Sequence, residues 1–324
     1  MTDFPTIGPV AADTARPFWS VVIPTYDPEP DYLARALASV LEQDPGPAEM
    51  EIALIDDCSS AVDPRECVPR EGRDRVGWLR QERHVGMGQN WNACLRHARG
   101  HWVHILHQDD LVLPGFYERL RAGIDAAPSV GAAFCRDVVI DAGGRTKWMQ
   151  PLVSAVPGIV EDWVEHVFVS LHLRAPALVV KRGVYEAIGG FRLDLDYVLD
   201  WDMWKRIAAA VPLWYEPEPL ACYRRHAGSA SFGFIRSGEN IAEIRRSIEL
   251  SQGALPPSVA ASATRRAREY YTRYAVITAW RALEERDVRS ALAQIREARK
   301  LTSGFTVAQE IARLLSSAFR LMPR

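Results

Sequence analysis

At 324 residues, 48% apolar and 25% charged, the chain has the make-up of an ordinary soluble globular protein with room for a large core and an appendage. That balance excludes disordered and fibrous classes. A formal net charge of −2 gives no global pull on nucleic acid, so nucleic acid is not an expected partner. Residues 1–17, rich in Pro, Ala and Thr, read as a loose leader. From Trp19 the run SVVIP is apolar on both faces, as expected of a strand buried in a parallel sheet. Beyond PTYDPEPD, Leu33, Ala36, Leu37, Val40 and Leu41 recur at helical spacing and predict an amphipathic helix. EIALIDD (51–57) and VGWLRQ (76–81) predict further strands. A helix is expected from Gln89 to Ala98, with Gly100 as its C-terminal cap. The strand HWVHILH follows and ends in the adjacent carboxylates Asp109 and Asp110.

Alternation of strand and helix from residue 19 to about 125 predicts a mostly parallel α/β sheet. A second region, to about 230, holds strand-like AAFCRDVVID and ALVVK, the pair Gly189 and Gly190, and the acidic segment FRLDLDYVLDWDMWKRIA. Residues 238–324 predict helices, with a break at GALPPS and a hairpin within YAVITAWRALEERDVRSALAQIREARK. Arg224, Arg225 and His226 are expected on a flexible stretch before them.

In parallel sheets ligands sit beyond the carboxyl ends of the strands, so PTYDP, DDCSS and QDDL should share one edge. Adjacent carboxylates raise each other's pKa unless a cation or donors compensate. Two readings of Asp109 and Asp110 follow. In one, Asp110 takes a divalent metal and Asp109 turns to a sugar hydroxyl or a metal-bound water. In the other, Asp110 caps a helix starting near Leu113 and Asp109 is solvated. Tyr26 and Asp57 offer a stacking ring and an acceptor for a base such as uracil; the plainer alternative for Asp57 is an Asx turn or helix cap with Ser59 and Ser60. Five cysteines form no CxxC pair and lie near no histidine at ligand spacing, against zinc and disulfides.

VVIPTYDP, LIDDCSS, HVGMGQNWNACLRHARG before HQDD, and GGF with LDWDMWKR resemble, in order and spacing, the inverting family-2 glycosyltransferases of the A-type, nucleotide-diphospho-sugar-binding fold, over about residues 19–230. The resemblance implies a Rossmann-like, mostly parallel sheet of the glycosyltransferase A type, to which the helices read from residues 238–324 add a C-terminal helical appendage. With the residue pattern at either end, it divides the chain into a leader (1–17), a nucleotide-sugar-binding half (18–125), an acceptor-binding and catalytic half (126–237) and a helical region (238–324). It places Pro24, Thr25 and Tyr26 on the nucleotide, Asp57 on the base, Asp109 by the donor ribose and Asp110 on Mg²⁺ or Mn²⁺. The loop from His84 to Asn92, with Gly86 and Asn90, adds donor contacts; His226 is either a further metal ligand or, as a lone histidine more often is, a surface or hydrogen-bonded residue. Asp200 is implied as the base, with Asp202 as rival; Leu199 stands where the family usually has glutamate.

The partners so implied are a nucleotide-diphosphate sugar, a UDP-sugar first, and a glycan or lipid-linked acceptor in bacterial surface polysaccharide or glycan synthesis. A catalytically degenerate glycan-binding module and a sugar-phosphate nucleotidyltransferase are the alternatives; the latter would need a Gly-rich phosphate loop that PTYDPEP does not supply. Trp201 and Trp204 read as core or as acceptor platforms. Phe305, Ile311, Leu314, Leu315, Phe319 and Met322, with Arg313, Arg320 and Arg324 elsewhere on the helix, form a stripe suited to a membrane surface, the chain's own domain or a homodimer. With no signal segment and no long apolar run, the expected location is cytoplasmic, extending to the inner face of the membrane.

Overall fold

The computed structural model describes residues 4–161, 163–171, 173–255 and 257–321, with the backbone alone for residues 230, 254, 258 and 314–321. Strands β1 (Trp19–Thr25), β2 (Met50–Asp56), β3 (Val76–Arg80) and β4 (Trp102–Ile105) enclose helices α1 (Pro30–Leu41) and α2 (Met87–His97) in chain order. There follow β5 (Leu111–Val112), α3 (Phe116–Ala126), β6 (Ala132–Asp141), β7 (Thr146–Met149), β8 (Gly158–Ile159), α4 (Trp163–Val169), β9 (Leu178–Lys181), α5 (Arg182–Ile188), α6 (Leu199–Ala210) and β10 (Leu213–Arg225). Helices α7 (Ala230–Ser237), α8 (Glu239–Ser251), α9 (Pro257–Glu284), α10 (Val288–Leu301) and α11 (Gly304–Leu321) complete the chain.

The main sheet path runs β3-β2-β1-β4-β9-β6-β10-β5. Strands β3, β2, β1 and β4 are mutually parallel; β9 is antiparallel to both β4 and β6, and β10 is parallel to β6. The long strands therefore run one way with β9 reversed among them, a mostly parallel sheet. All seven side chains of β1 are buried, because it lies between β2 and β4 with both faces covered. Leu33, Ala36, Leu37 and Val40 of α1 pack with Val21, Ile23, Ile52 and Leu54 in the main core. β1 and β2 stay paired through Thr25↔Asp56, whereas β1 and β4 part after Val22↔Ile105. Pro24, which has no N–H to offer, falls where β4 no longer needs one. The strand order also reverses between β1 and β4, since β2 and β3 lie on one side of β1 and β4 on the other. Such a switch point opens a crevice at the carboxyl ends.

Two sequence expectations change. The cap of α2 is Ala98, whose N–H donates to Cys94 O, and not Gly100. Gly100 instead lies against β1, where an added Cβ would come within 2.7 Å of the Ser20 backbone nitrogen. Arg224 and Arg225 end strand β10 and are not a flexible stretch; Arg224 is 1% exposed.

The chain divides into two compact units, one of Met1–Trp163, His172–Asp194 and Arg206–Arg225, the other of Val164–Leu171, Leu195–Lys205 and His226–Arg324. The first holds every strand. In the second, Phe168, Leu255 and Ala263 share an apolar cluster, and Gln294 donates to Asn240 at 2.7 Å. The expected hairpin is present as α9 and α10, with Arg286 at φ 62° in its turn and Asp287 accepting from Ser290 N at the start of α10. Trp201 and Trp204 are buried core residues, and Trp201 Nε1 donates to Val167 O at 2.6 Å. Phe305 of α11 is 73% exposed; the Leu314, Leu315, Phe319 and Arg320 side chains, with Met322 and Arg324, lie outside the described residues. No described helix is long and apolar enough to cross a membrane. The five cysteines are free thiols.

Candidate active site at the carboxyl edge of the sheet

The loops after β1, β2 and β4 meet in the first unit. Gln108, past the end of β4, clips the end of β1: Tyr26 N donates to its Oε1 at 2.9 Å, and its Nε2 donates to Tyr26 O at 3.3 Å. The paired carboxylates after β2 split their work. Asp56 is wholly buried, accepts from Ser59 N and pairs with Arg80 Nη1 at 2.9 Å, so the Asx-type turn belongs to Asp56. Thr25, also buried, donates its hydroxyl to Asp56 Oδ1 at 3.3 Å. Asp57 accepts from Val85 N at 2.8 Å and Gly86 N at 2.9 Å, with His84 Nδ1 2.9 Å from its Oδ2. Its carboxylate thus sits at the start of α2, where the unpaired N–H groups and the helix dipole favour a negative charge.

That loop brings the His84 ring over Tyr26, with centroids 4.1 Å apart and planes 31° apart. Tyr26 is 44% exposed. The pair presents a flat surface at the mouth of the crevice, the shape that stacks on a planar base. Asn90 is buried beneath, its Nδ2 donating to Ile55 O at 2.9 Å, so it ties α2 to β2. Gly86 adopts φ 88°, ψ 163°, a conformation open essentially to glycine alone. An added Cβ there meets nothing within 4 Å, so Gly86→Ala is expected to cost backbone strain only, about 1–3 kcal/mol, measurable by urea denaturation.

Asp110 is wholly buried. Its Oδ1 accepts from Arg224 N at 2.8 Å, whereas Oδ2 has no hydrogen-bond donor among the described residues; His107 Nδ1 lies 3.4 Å from it. Burial, and then the charge of Asp109, push the Asp110 carboxyl up to about 6, against the smaller opposing pull of His107. The helix-capping role is overturned: α3 begins at Phe116 after Gly115, and the Asp110 carboxylate is turned to β10. His107, Asp109 and Asp110 offer ligand atoms all within 4.8 Å of one another, enough to hold a metal ion. Two carboxylates and an imidazole suit a divalent cation, which would complete the coordination that Asp110 Oδ2 lacks.

Arg224 braces this turn. Its Nε donates to Asp109 O at 2.8 Å, Nη1 approaches Asp141 O and Ala142 O at 3.3 Å, and the guanidinium lies 4.5 Å over the Tyr32 ring. The His107 ring lies 4.7 Å from that of Trp91 on α2.

The first unit therefore brings together Pro24, Thr25, Tyr26, Asp57, Gly86, Asn90, Asp109 and Asp110. Asp200 and His226 belong to the second unit. Asp200 is half-buried in the first turn of α6 and accepts from Trp201 N at 2.7 Å; Asp202 is buried. His226 follows β10 directly and is half-buried, its carbonyl accepting from Ser229 N. Sequence reasoning missed His107, although its place three residues before Asp110 in a tight turn was a signal, as Asp110 N donates to His107 O.

Comparison with known proteins fits this geometry. The model of the family described as glycosyl transferase family 2 matches residues 20–187. An uncharacterized protein of Mycobacterium tuberculosis, MT1568, is 30% identical over 253 residues, covering 73% of this chain and 76% of MT1568. The O-antigen biosynthesis protein RfbC of Myxococcus xanthus is 28% identical over 229 residues, 68% of this chain but 17% of RfbC, so the match is to a small part of that protein. Among solved structures, residues 1–349 of S. aureus TarS in complex with UDP-GlcNAc superimpose with TM-score 0.65 at 17% identity, over 93% of this chain and 91% of TarS 1–349. That likeness is one of fold.

Proposed function

The chain belongs to glycosyl transferase family 2, and from that premise we propose that it moves a sugar from a nucleotide-diphosphate donor, UDP-linked by preference, to an acceptor hydroxyl with inversion at the anomeric carbon. Residues 18–125 serve the donor, residues 126–237 the acceptor and the chemistry, and residues 238–324 form a helical region. The observation that carries the proposal is the Asp110 carboxylate, buried at the switch point of the sheet with one oxygen lacking a hydrogen-bond donor beside His107 and Asp109. Asp110 and His107 would hold Mg²⁺ or Mn²⁺, with Asp109 turned to the donor ribose or a metal-bound water and His226 a further ligand. When bound, the cation supplies charge stabilisation for the leaving diphosphate.

Tyr26 and His84 stack on the base and Asp57 accepts from its N–H. Pro24 and Thr25 shape the pocket floor, and Gly86 and Asn90 hold the loop that carries His84. Asp200 takes the proton from the acceptor hydroxyl as that oxygen forms the new bond and the bond to the diphosphate breaks. The acceptor is a glycan or a lipid-linked glycan of the bacterial surface, a reading supported by the O-antigen role named for RfbC. UDP is supported by the UDP-GlcNAc in TarS.

Thermal unfolding with a panel of nucleoside diphosphates tests donor and metal together, because a ligand that binds only the folded state raises its stability. UDP with Mn²⁺ is expected to raise the midpoint by several degrees, and neither alone by as much. A panel in which no nucleotide shifts the midpoint, with or without Mn²⁺, would overturn the donor assignment.

A further inference from the structure

The hairpin and loop from β7 to β8 expose their apolar side chains outward. Trp148 (41%), Met149 (40%), Leu152 (52%), Val153 (41%), Val156 (67%) and Ile159 (47%) are six large apolar residues within twelve positions, all exposed by two-fifths or more. Scattered exposed apolar residues are ordinary, but six gathered in one short braced segment mark a part of the surface that meets something apolar. The segment is held in place at several points. β7 pairs with β6 and β8 with β10; Gln150 N donates to Asp137 O, and Val153 N to the Tyr215 hydroxyl. Ser154 and Val156 close a turn on each other at the tip, where Ser154 Oγ donates to Val156 O. The apolar side chains are thus displayed by a braced scaffold.

Within the segment the charges are basic, with carboxylates only at its two ends, Asp141 and Glu161. From residue 142 to 160 the chain has no carboxylate, and Arg145 and Lys147 directly precede Trp148. Lys147 leans on Asp141 at 3.5 Å, and Arg225, at the end of β10, lies 5.5 Å from the Trp148 ring. Apolar side chains with a tryptophan at their base and cations beside it match the boundary of an anionic bilayer: the aliphatic tips enter the acyl region, the indole sits at the headgroups, and the cations meet lipid phosphates. We propose that the β7–β8 segment is a membrane-docking surface for a bilayer of anionic lipid. Arg225 of this surface is next in the chain to Arg224, which holds Asp109 and Asp110, so docking would bring the bilayer close to the donor site. That this serves a lipid-borne acceptor rests on the function proposed above; the docking itself does not.

The test is co-sedimentation of the full-length chain with vesicles of phosphatidylcholine alone or mixed with phosphatidylglycerol, alongside the double variant Leu152→Asp/Val156→Asp and the charge variant Arg145→Glu/Lys147→Glu. Wild type is expected to bind the mixed vesicles and the first variant to lose at least about tenfold in partition. The charge variant should lose its preference for phosphatidylglycerol. Because Leu152 and Val156 are exposed, the unfolding midpoint of the aspartate variant should match that of wild type. Quenching of fluorescence by brominated lipid should fall in Trp148→Phe. No binding to mixed vesicles, or binding untouched by the aspartates, would overturn the proposal. A dimer of wild type that the aspartates dissolve, with no vesicle binding, would assign the face to a second copy. A chain that docks on vesicles yet transfers no sugar would keep this surface and remove the proposed function.

Discussion

Replacing Asp110 by asparagine is expected to lower kcat by about 10²- to 10³-fold, as does loss of a single group that stabilises transition-state charge, and to raise the stability of the metal-free protein. The second half follows from burial. A carboxyl moved from 3.8 to about 6 keeps its proton in the folded state over a range where the unfolded chain has lost it. Between pH 4 and 6 the folded state therefore binds more protons, and stability falls as pH rises through that window. Above pH 6 the full cost of holding the charge is present, on the order of 2–3 kcal/mol. Asparagine removes that charge, and its amide can occupy the Oδ2 position 3.4 Å from His107 Nδ1. Urea denaturation in a chelator at pH 8 should find the variant more stable, and the gap should close toward pH 4. Mn²⁺ should stabilise wild type alone. A variant less stable than wild type at pH 8 would mean that protein groups already satisfy the carboxylate, and that it does not await a cation.

This conflict between stability and function also explains what was legible in the sequence. Strand β1 and helix α1 were readable because each declares itself locally, one as a run buried on both faces, the other by its helical period. The crevice was readable too, since strand ends in a parallel sheet place their following loops together. The partners of the acidic pairs were less so. Asp56 and Asp57 look alike in the chain, yet one closes an Asx-type turn and the other anchors a loop 28 residues away. Arg224 braces the metal turn from 114 residues along, through the antiparallel pairing of β10 with β5, which has no local signature. Gly100 resembled a helix cap because its other duty, close approach to β1, depends on a neighbour 80 residues earlier.

Asp200→Asn is the second large effect, expected to lower kcat by about 10²- to 10⁴-fold while leaving donor and Mn²⁺ binding unchanged. The surroundings of Asp200 within its own unit are tied by hydrogen bonds and packing, so the substitution should remove basicity and little else. Glu243 of α8 accepts the N–H groups of Asp196, Tyr197 and Val198 just ahead of α6, the shortest at 2.7 Å. Trp201, next to Asp200, is wholly buried, its ring centroid 5.1 Å from that of Tyr271. Lys205 Nζ donates to Ser247 O and Oγ, fixing the following turn. Its place in the first turn of α6 is one where helix N-termini favour carboxylates. Asp202 shares that first turn but is 4% exposed, a position suited to structure more than to meeting an acceptor. Asp202→Asn should accordingly lower the unfolding midpoint more than it lowers kcat. The two variants are told apart by pH profile, since loss of a general base removes the acid limb of kcat against pH, and loss of a structural carboxylate does not. Full turnover in Asp200→Asn together with a lost acid limb in Asp202→Asn would move the base to Asp202.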